Sequence, residues 1–152
     1  MGFAYLLRTP ATSIVFRVRF NIPQDVEVEF CPEGNIENDR LLRVVFFPLM
    51  LILEGGVRFL VNLILLKTLS FYGLSSDQCF LNFYRVVNSV IRLNNLYGLE
   101  LNHHDINFMY GIHSSIKIRH YLKIRNPTTR LISCVPDSNR NSTWEFIKVS
   151  GN

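Results

Sequence analysis

The sequence predicts an α+β domain: a helical core of about four helices, followed by a small C-terminal antiparallel β-meander. Three observations carry this reading. Residues 70–101, SFYGLSSDQCFLNFYRVVNSVIRLNNLYGLEL, hold a long amphipathic segment bracketed by two Tyr-Gly-Leu endings. Apolar residues from about position 41 to 113 recur at helical spacing or in continuous runs, and after 115 the period shortens to two. A chain of 152 residues with 48% hydrophobic and 12% aromatic residues suits one domain with an ample core.

Taken in order, Ile14, Phe16, Val18 and Phe20 alternate with Val15, Arg17 and Arg19, which predicts a strand. Asn21-Ile22-Pro23 ends it, residues 26–30 form a second alternating run, and Cys31-Pro32-Glu33-Gly34-Asn35 reads as a loop. A helix from about residue 41 is restarted at Pro48 and stopped at Gly55-Gly56. Residues 57–59 link it to a helix over 60–72 that is apolar on nearly all sides and therefore expected to be central.

Gly73 and Gly98 each follow a Tyr and precede a Leu, the pattern of a left-handed helix end with an apolar residue packing back. Ser75 with Gln78 fits a capping box, and Asn82 offers a second cap. Phe83, Val86, Val87, Val90 and Tyr97 then share one helical face, opposite Arg85, Asn88, Arg92 and Asn95. Asn94 falls inside the apolar stripe, which implies a buried hydrogen bond or a helix-end role. Asn102 caps the next helix, with Asp105 in its first turn and residues 106–113 as its body.

The meander follows. Ile116, Ile118, Leu122 and Ile124 alternate with Lys117, Arg119, Tyr121, Lys123 and Arg125. Asn126-Pro127-Thr128-Thr129 is a turn, 131–135 a strand, Pro136-Asp137-Ser138-Asn139 a turn, and 143–149 the last strand, with Trp144 and Phe146 packed beneath the sheet. No repeat, low-complexity tract or linker divides the chain.

Net charge is a mild +4, but it is unevenly placed. Asp25, Glu27, Glu29, Glu33, Glu37 and Asp39 form an acidic segment. Lys117, Arg119, Lys123, Arg125 and Arg130 form a basic one. Cys31, Cys79 and Cys134 are sparse and odd in number, which favours reduced intracellular thiols over a disulfide framework. The N-terminus is a poor signal peptide, and Leu6 breaks the myristoylation pattern. The protein is therefore expected inside the cell, in cytoplasm or nucleus, and the Asn141-Ser142-Thr143 sequon carries no weight. The apolar runs at 44–53 and 59–66 are each shorter than a spanning helix and are separated by Glu54 and Arg58, so a membrane span is not expected.

His103-His104-Asp105 is the most tempting catalytic cluster. Adjacent helical residues point about 100° apart, so the three cannot chelate one metal, and no second catalytic group accompanies them. Neither GxSxG, a phosphate loop, HExxH nor a dinucleotide fingerprint occurs. No catalytic residue, cofactor, metal or small-molecule ligand is expected. Lys117, Arg119, Tyr121, Lys123 and Arg125 are the candidate nucleic-acid contacts, through phosphates and one stacking ring. The simpler reading of the same residues is an exposed sheet edge kept soluble by Lys and Arg.

From Arg17 onward the chain resembles the gag-like, putative plant transposon proteins of gypsy-type retrotransposons. The resemblance rests on RVRFNIPQDV, VVFFPLMLILEGGVRF, FYGLSSDQ, NFYRVVNSVIRLNNLYGL, HHDINFMY, YLKIR, RLISCVPDSNRNS and EFIKVSGN, in that order. Residues 1–16 lie outside it. It implies a transposon origin and an intracellular protein, with no established catalytic activity and no mapped functional residues to carry over. The reading that follows is a non-enzymatic structural or interaction domain, with self-association and a weak nucleic-acid contact as its candidate interactions. A nucleic-acid module built on the basic sheet is the alternative, and a decayed, functionless fragment a third. The family tends to have Pro where this chain has Leu60 and Leu63, and again near Leu81, and it usually continues past Asn152. A truncated copy altered by C-to-T changes is therefore expected, with the lost prolines extending a helix through 60–66.

Overall fold

The computed structural model describes residues 4–32, 44–59, 61–115, 119–129, 131–132 and 145–151. In chain order its elements are α1 (Pro10–Arg19), β1 (Val26–Pro32), β2 (Val44–Pro48), α2 (Leu49–Leu53), α3 (Leu63–Tyr72), α4 (Leu81–Tyr97), α5 (His103–Met109), β3 (Tyr110–Ser114), β4 (His120–Ile124) and β5 (Glu145–Gly151). Short 3-10 turns lie at Ala4–Leu7, Ser76–Gln78 and Pro127–Thr129. Mixed helices and antiparallel sheets make this an α+β fold, with four helices of seven residues or more among the described residues.

The strands are arranged differently from a meander. Of the strand expected within 116–125, residues 116–118 lie outside the described residues. The described strand is His120–Ile124, and it pairs with Tyr110–Ser114, a segment that reads in sequence as the end of a helix. Residues 131–132 are a bend, and 133–135 lie outside the described residues, as does Trp144. The last strand, β5, joins another sheet, of order β1-β5-β2, between two strands from the first third of the chain. Its register sets Val149 opposite both Val28 and Val45, and Ile147 opposite both Phe30 and Phe47. Phe146 and Ile147 are both 0% exposed, so β5 is covered on both faces as well as paired on both edges. Ile147 joins the main core, while Phe146 packs with Cys31 and Phe46 in a second small cluster.

Residues 14–19 are helical rather than extended, with Phe20 at the C-cap. Thr9 and Thr12 form a reciprocal capping box and Pro10 occupies the first turn, where its missing N–H costs nothing. Phe16 and Phe20, four residues apart, are the buried pair of this segment. The apolar–arginine alternation thus coincides with a helix that leaves Ile14, Val15 and Val18 in solvent. The helix expected across Pro48 is instead β2, then α2: the β-branched and aromatic VVFFP run pairs with β5, and Pro48 ends it at the N-cap of Leu49–Leu53.

Helix α3 starts at Leu63, capped by Asn62, whose Oδ1 accepts from the Ile64 N–H at 2.9 Å. It does not extend back over 61–62, and it is half-exposed rather than central: Leu65, Thr68 and Leu69 are buried, but Leu63, Leu66 and Phe71 are not. Both Tyr-Gly-Leu segments end helices as the sequence implies, with Gly73 at φ 64° and Gly98 at φ 63°, where a Cβ would be strained.

The core centres on α4. Phe83, Val86, Val87 and Val90 are at most 1% exposed, and each such burial contributes about 1.5–3 kcal/mol. Tyr97, expected on that face, is exposed because the helix has outrun its cover. Asn94 takes the helix-end role: its side chain donates to the Leu101 carbonyl at 2.7 Å and accepts from the Leu101 N–H at 3.1 Å. Asn82 is not a cap. It is buried inside α4 and closes the outer edge of β4, donating to the Leu122 carbonyl at 2.7 Å and accepting from the Leu122 N–H at 3.1 Å. Beside it the Phe80 N–H donates to the His120 carbonyl. Ser75 does form its box with Gln78, but on the 3-10 turn. That turn is fastened by Tyr84, whose hydroxyl donates to the Ser76 carbonyl, and by the Ser76 hydroxyl, which donates to the Phe46 carbonyl on β2.

Candidate functional site

The β3–β4 hairpin alternates strictly. Tyr110, Ile112, Leu122 and Ile124 pack into the core, which leaves Gly111, His113, Tyr121 and Lys123 on the other face. Across the hairpin Gly111 is opposite Lys123 and His113 opposite Tyr121. The His113 and Tyr121 rings are near-parallel, 28° apart with centroids at 5.7 Å, and Phe80 meets the Tyr121 ring edge-on at 6.3 Å.

Of the residues expected to act together, Tyr121, Lys123 and Arg125 lie on this outer face or at its edge, and Arg119 turns away from it. Lys117 lies outside the described residues. Arg119 precedes β4 and sets its guanidinium over the Phe146 ring at 5.6 Å, on packed hydrophobic surface. Arg125 is exposed but tethered, its Nε donating to the Asn107 carbonyl at 2.9 Å. Lys123 is exposed and Tyr121 half-buried. The sequence does not single out His113 and Gly111, because residues 106–113 read as a helix. The alternation of Tyr110, Ile112 and Ser114 with Gly111 and His113 is the signal that could have found them.

The His103-His104 pair is structural in its surroundings. Asp105 accepts from the Asn102 N–H at 2.8 Å as part of a capping box, so its carboxylate serves the helix end. The two imidazoles lie 4.1 Å apart, and the Phe71 ring packs against both. Desolvation, then the nearby His104 and Lys67 charges, push the His103 pKa below its ordinary value, with Asp105 opposing. The unfolded chain then holds the extra proton first. Stability from this group is complete above the unfolded pKa of about 6.5 and declines as pH falls through it toward the folded value. An NMR titration should therefore place His103 at lower pH in native protein than in urea; equal or reversed values would contradict the cause assigned.

Burial pushes the Cys79 thiol far above its ordinary range, with Asp77 adding to it, so it is not a nucleophile at neutral pH. Cys134 lies outside the described residues. No group of three or more His, Cys, Asp or Glu is placed to hold a metal among the described residues. No helix among them is long and apolar enough to cross a membrane.

Apolar surface is the larger feature. On α1, Ile14, Val15 and Val18 are 61%, 66% and 77% exposed and form a ridge. Beside it runs a shallow groove of about 250 Å³, lined by Tyr5, Leu6, Ala11, Val15, Phe20 and Leu53 among others. A second groove, about 600 Å³, lies between β2 and α3, with Val45 and Leu66 at its rim. No protein-family model, curated protein or solved structure matches the chain.

Proposed function

We propose that the chain is a non-enzymatic, gag-like interaction domain of retrotransposon origin that self-associates. The observation that carries this reading is the α1 ridge of Ile14, Val15 and Val18, facing solvent beside an apolar groove. Val15 is both part of the ridge and a wall of that groove, so the two adjoin, and a two-fold pairing sets the apolar surface of one copy against that of the other. Contiguous exposed apolar surface of this kind marks interaction sites.

The transposon-derived part of the reading draws support from two departures of the sequence. The resemblance expects Pro at 63 and near 81, and Leu63 and Leu81 each open a helix, where Pro is tolerated. Leu60, the third such position, lies outside the described residues. The non-enzymatic part draws support from the engagement of the reactive side chains: Asp105 caps a helix, Cys79 is buried, and the His103-His104 rings pack on Phe71.

Light scattering on chromatographed protein tests it. The wild type is expected to form a defined oligomer that dissociates on dilution. The double substitution Val15→Asp, Val18→Asp is expected to raise the dissociation constant tenfold or more, since each buried apolar side chain in such a contact is worth about 1.5 kcal/mol. A wild type that stays monomeric at all concentrations, or a variant that associates equally well, rejects the reading.

A further inference from the structure

A second surface has a different chemistry and does not depend on self-association. We propose that the outer face of the β3–β4 hairpin binds single-stranded nucleic acid, with a base stacking on the His113–Tyr121 ring pair and phosphates held by Lys123 and Arg125.

Three observations point there. First, the two rings are already near-parallel, and Phe80 props Tyr121 from the side, so the stack is ordered before a ligand arrives. His113 is its exposed member and can extend the stack by one more ring.

Second, Gly111 forms the floor of the face. A Cβ there would lie 3.4 Å from His113 Nε2 and 3.6 Å from an Arg125 guanidinium nitrogen, so both groups lean over the bare backbone and sit side by side. Lys123 is directly across from Gly111. Arg125 is fixed by Asn107 and by its own N–H on the Met109 carbonyl, so its charge is presented without first being ordered.

Third, the charge is of one sign. No Asp or Glu occurs between Asp105 and Asp137, so nothing in β3, β4 or the chain joining them opposes a polyanion. A near-flat ring pair beside two cations suits an unpaired base and its flanking phosphates. A duplex hides its base faces, and a simple polyanion has none.

The test is fluorescence anisotropy with a labelled single-stranded RNA of about 12 nucleotides, a spacing suited to one such groove. With two phosphate contacts, affinity should fall about sevenfold between about 50 and about 200 mM salt. His113→Ala, at an exposed position that leaves the fold intact, should weaken binding about fivefold or more through the lost stacking. Lys123→Gln should flatten the salt dependence by about half. Tyr121→Phe should bind as the wild type does, since the ring and not the hydroxyl is used. Inorganic polyphosphate and the duplex of the same sequence should compete at least about tenfold less well than the single strand. The proposal is overturned if the RNA fails to bind at the lower salt, if His113→Ala leaves affinity unchanged, or if polyphosphate or duplex competes equally.

Discussion

Asn82→Ala is expected to lower the free energy of unfolding by about 2–5 kcal/mol, since it strips partners from two buried main-chain groups of β4 at once. Its amide stands in for a neighbouring strand: Leu122 has both its N–H and its carbonyl on this one side chain. Water cannot take over, because Asn82 is 2% and Leu122 2% exposed. Asn94→Ala is the matched comparison. It removes the same pair of bonds from Leu101 at a half-buried site, so solvent compensates and the expected loss is about 1 kcal/mol. Urea unfolding of the two variants decides the matter; equal losses would mean that burial is not what makes Asn82 important.

Phe83→Ala is expected to cost about 3–5 kcal/mol, and with total stability of about 5–15 kcal/mol it can leave the domain largely unfolded. The ring is 0% exposed and meets Tyr72 and Tyr84 edge-on at centroid distances of 6.4 and 5.5 Å. Close packing around it leaves little freedom to collapse into the space an alanine would open. Phe83→Leu fills most of that space and should cost about 1–1.5 kcal/mol. Measured by urea unfolding, a loss below about 1 kcal/mol for the alanine variant would place the core elsewhere.

Local signals in this chain were legible and long-range ones were not. The helix ends at Gly73 and Gly98, the Ser75–Gln78 box, the Asn102 cap and the buried face of α4 depend on residues a few positions apart, and each can be read from spacing, whereas the reciprocal bond from Asp105 emerges with the structure. The partners of β5 depend on segments more than a hundred residues away, and no local pattern names them. Residues 14–20 read as a strand because apolar–arginine alternation fits a strand and also fits a helix with Phe16 and Phe20 inward; the Thr9-Pro10 start is the signal that decides for the helix. Asn82 looked like a cap because Asn usually is one outside a core. Its true role required β4 to be brought alongside.

The candidate site divided in the same way. Tyr121, Lys123 and Arg125 were legible as a period-two basic strand, whereas the departure of Arg119 onto Phe146 depends on β5. His113 came into view only with its cross-strand partner, for a ring pair is a property of two strands. The α1 ridge was hidden by the strand assignment, which would have divided Ile14, Val15 and Val18 between two faces.

The most direct test of self-association through α1 is a dilution series followed by methyl NMR. The methyl signals of Ile14, Val15 and Val18 are predicted to shift together as concentration falls, while those of the buried Val87 and Val90 stay in place. Stationary α1 signals at every concentration, or shifts confined to another exposed apolar residue such as Phe108, would contradict it.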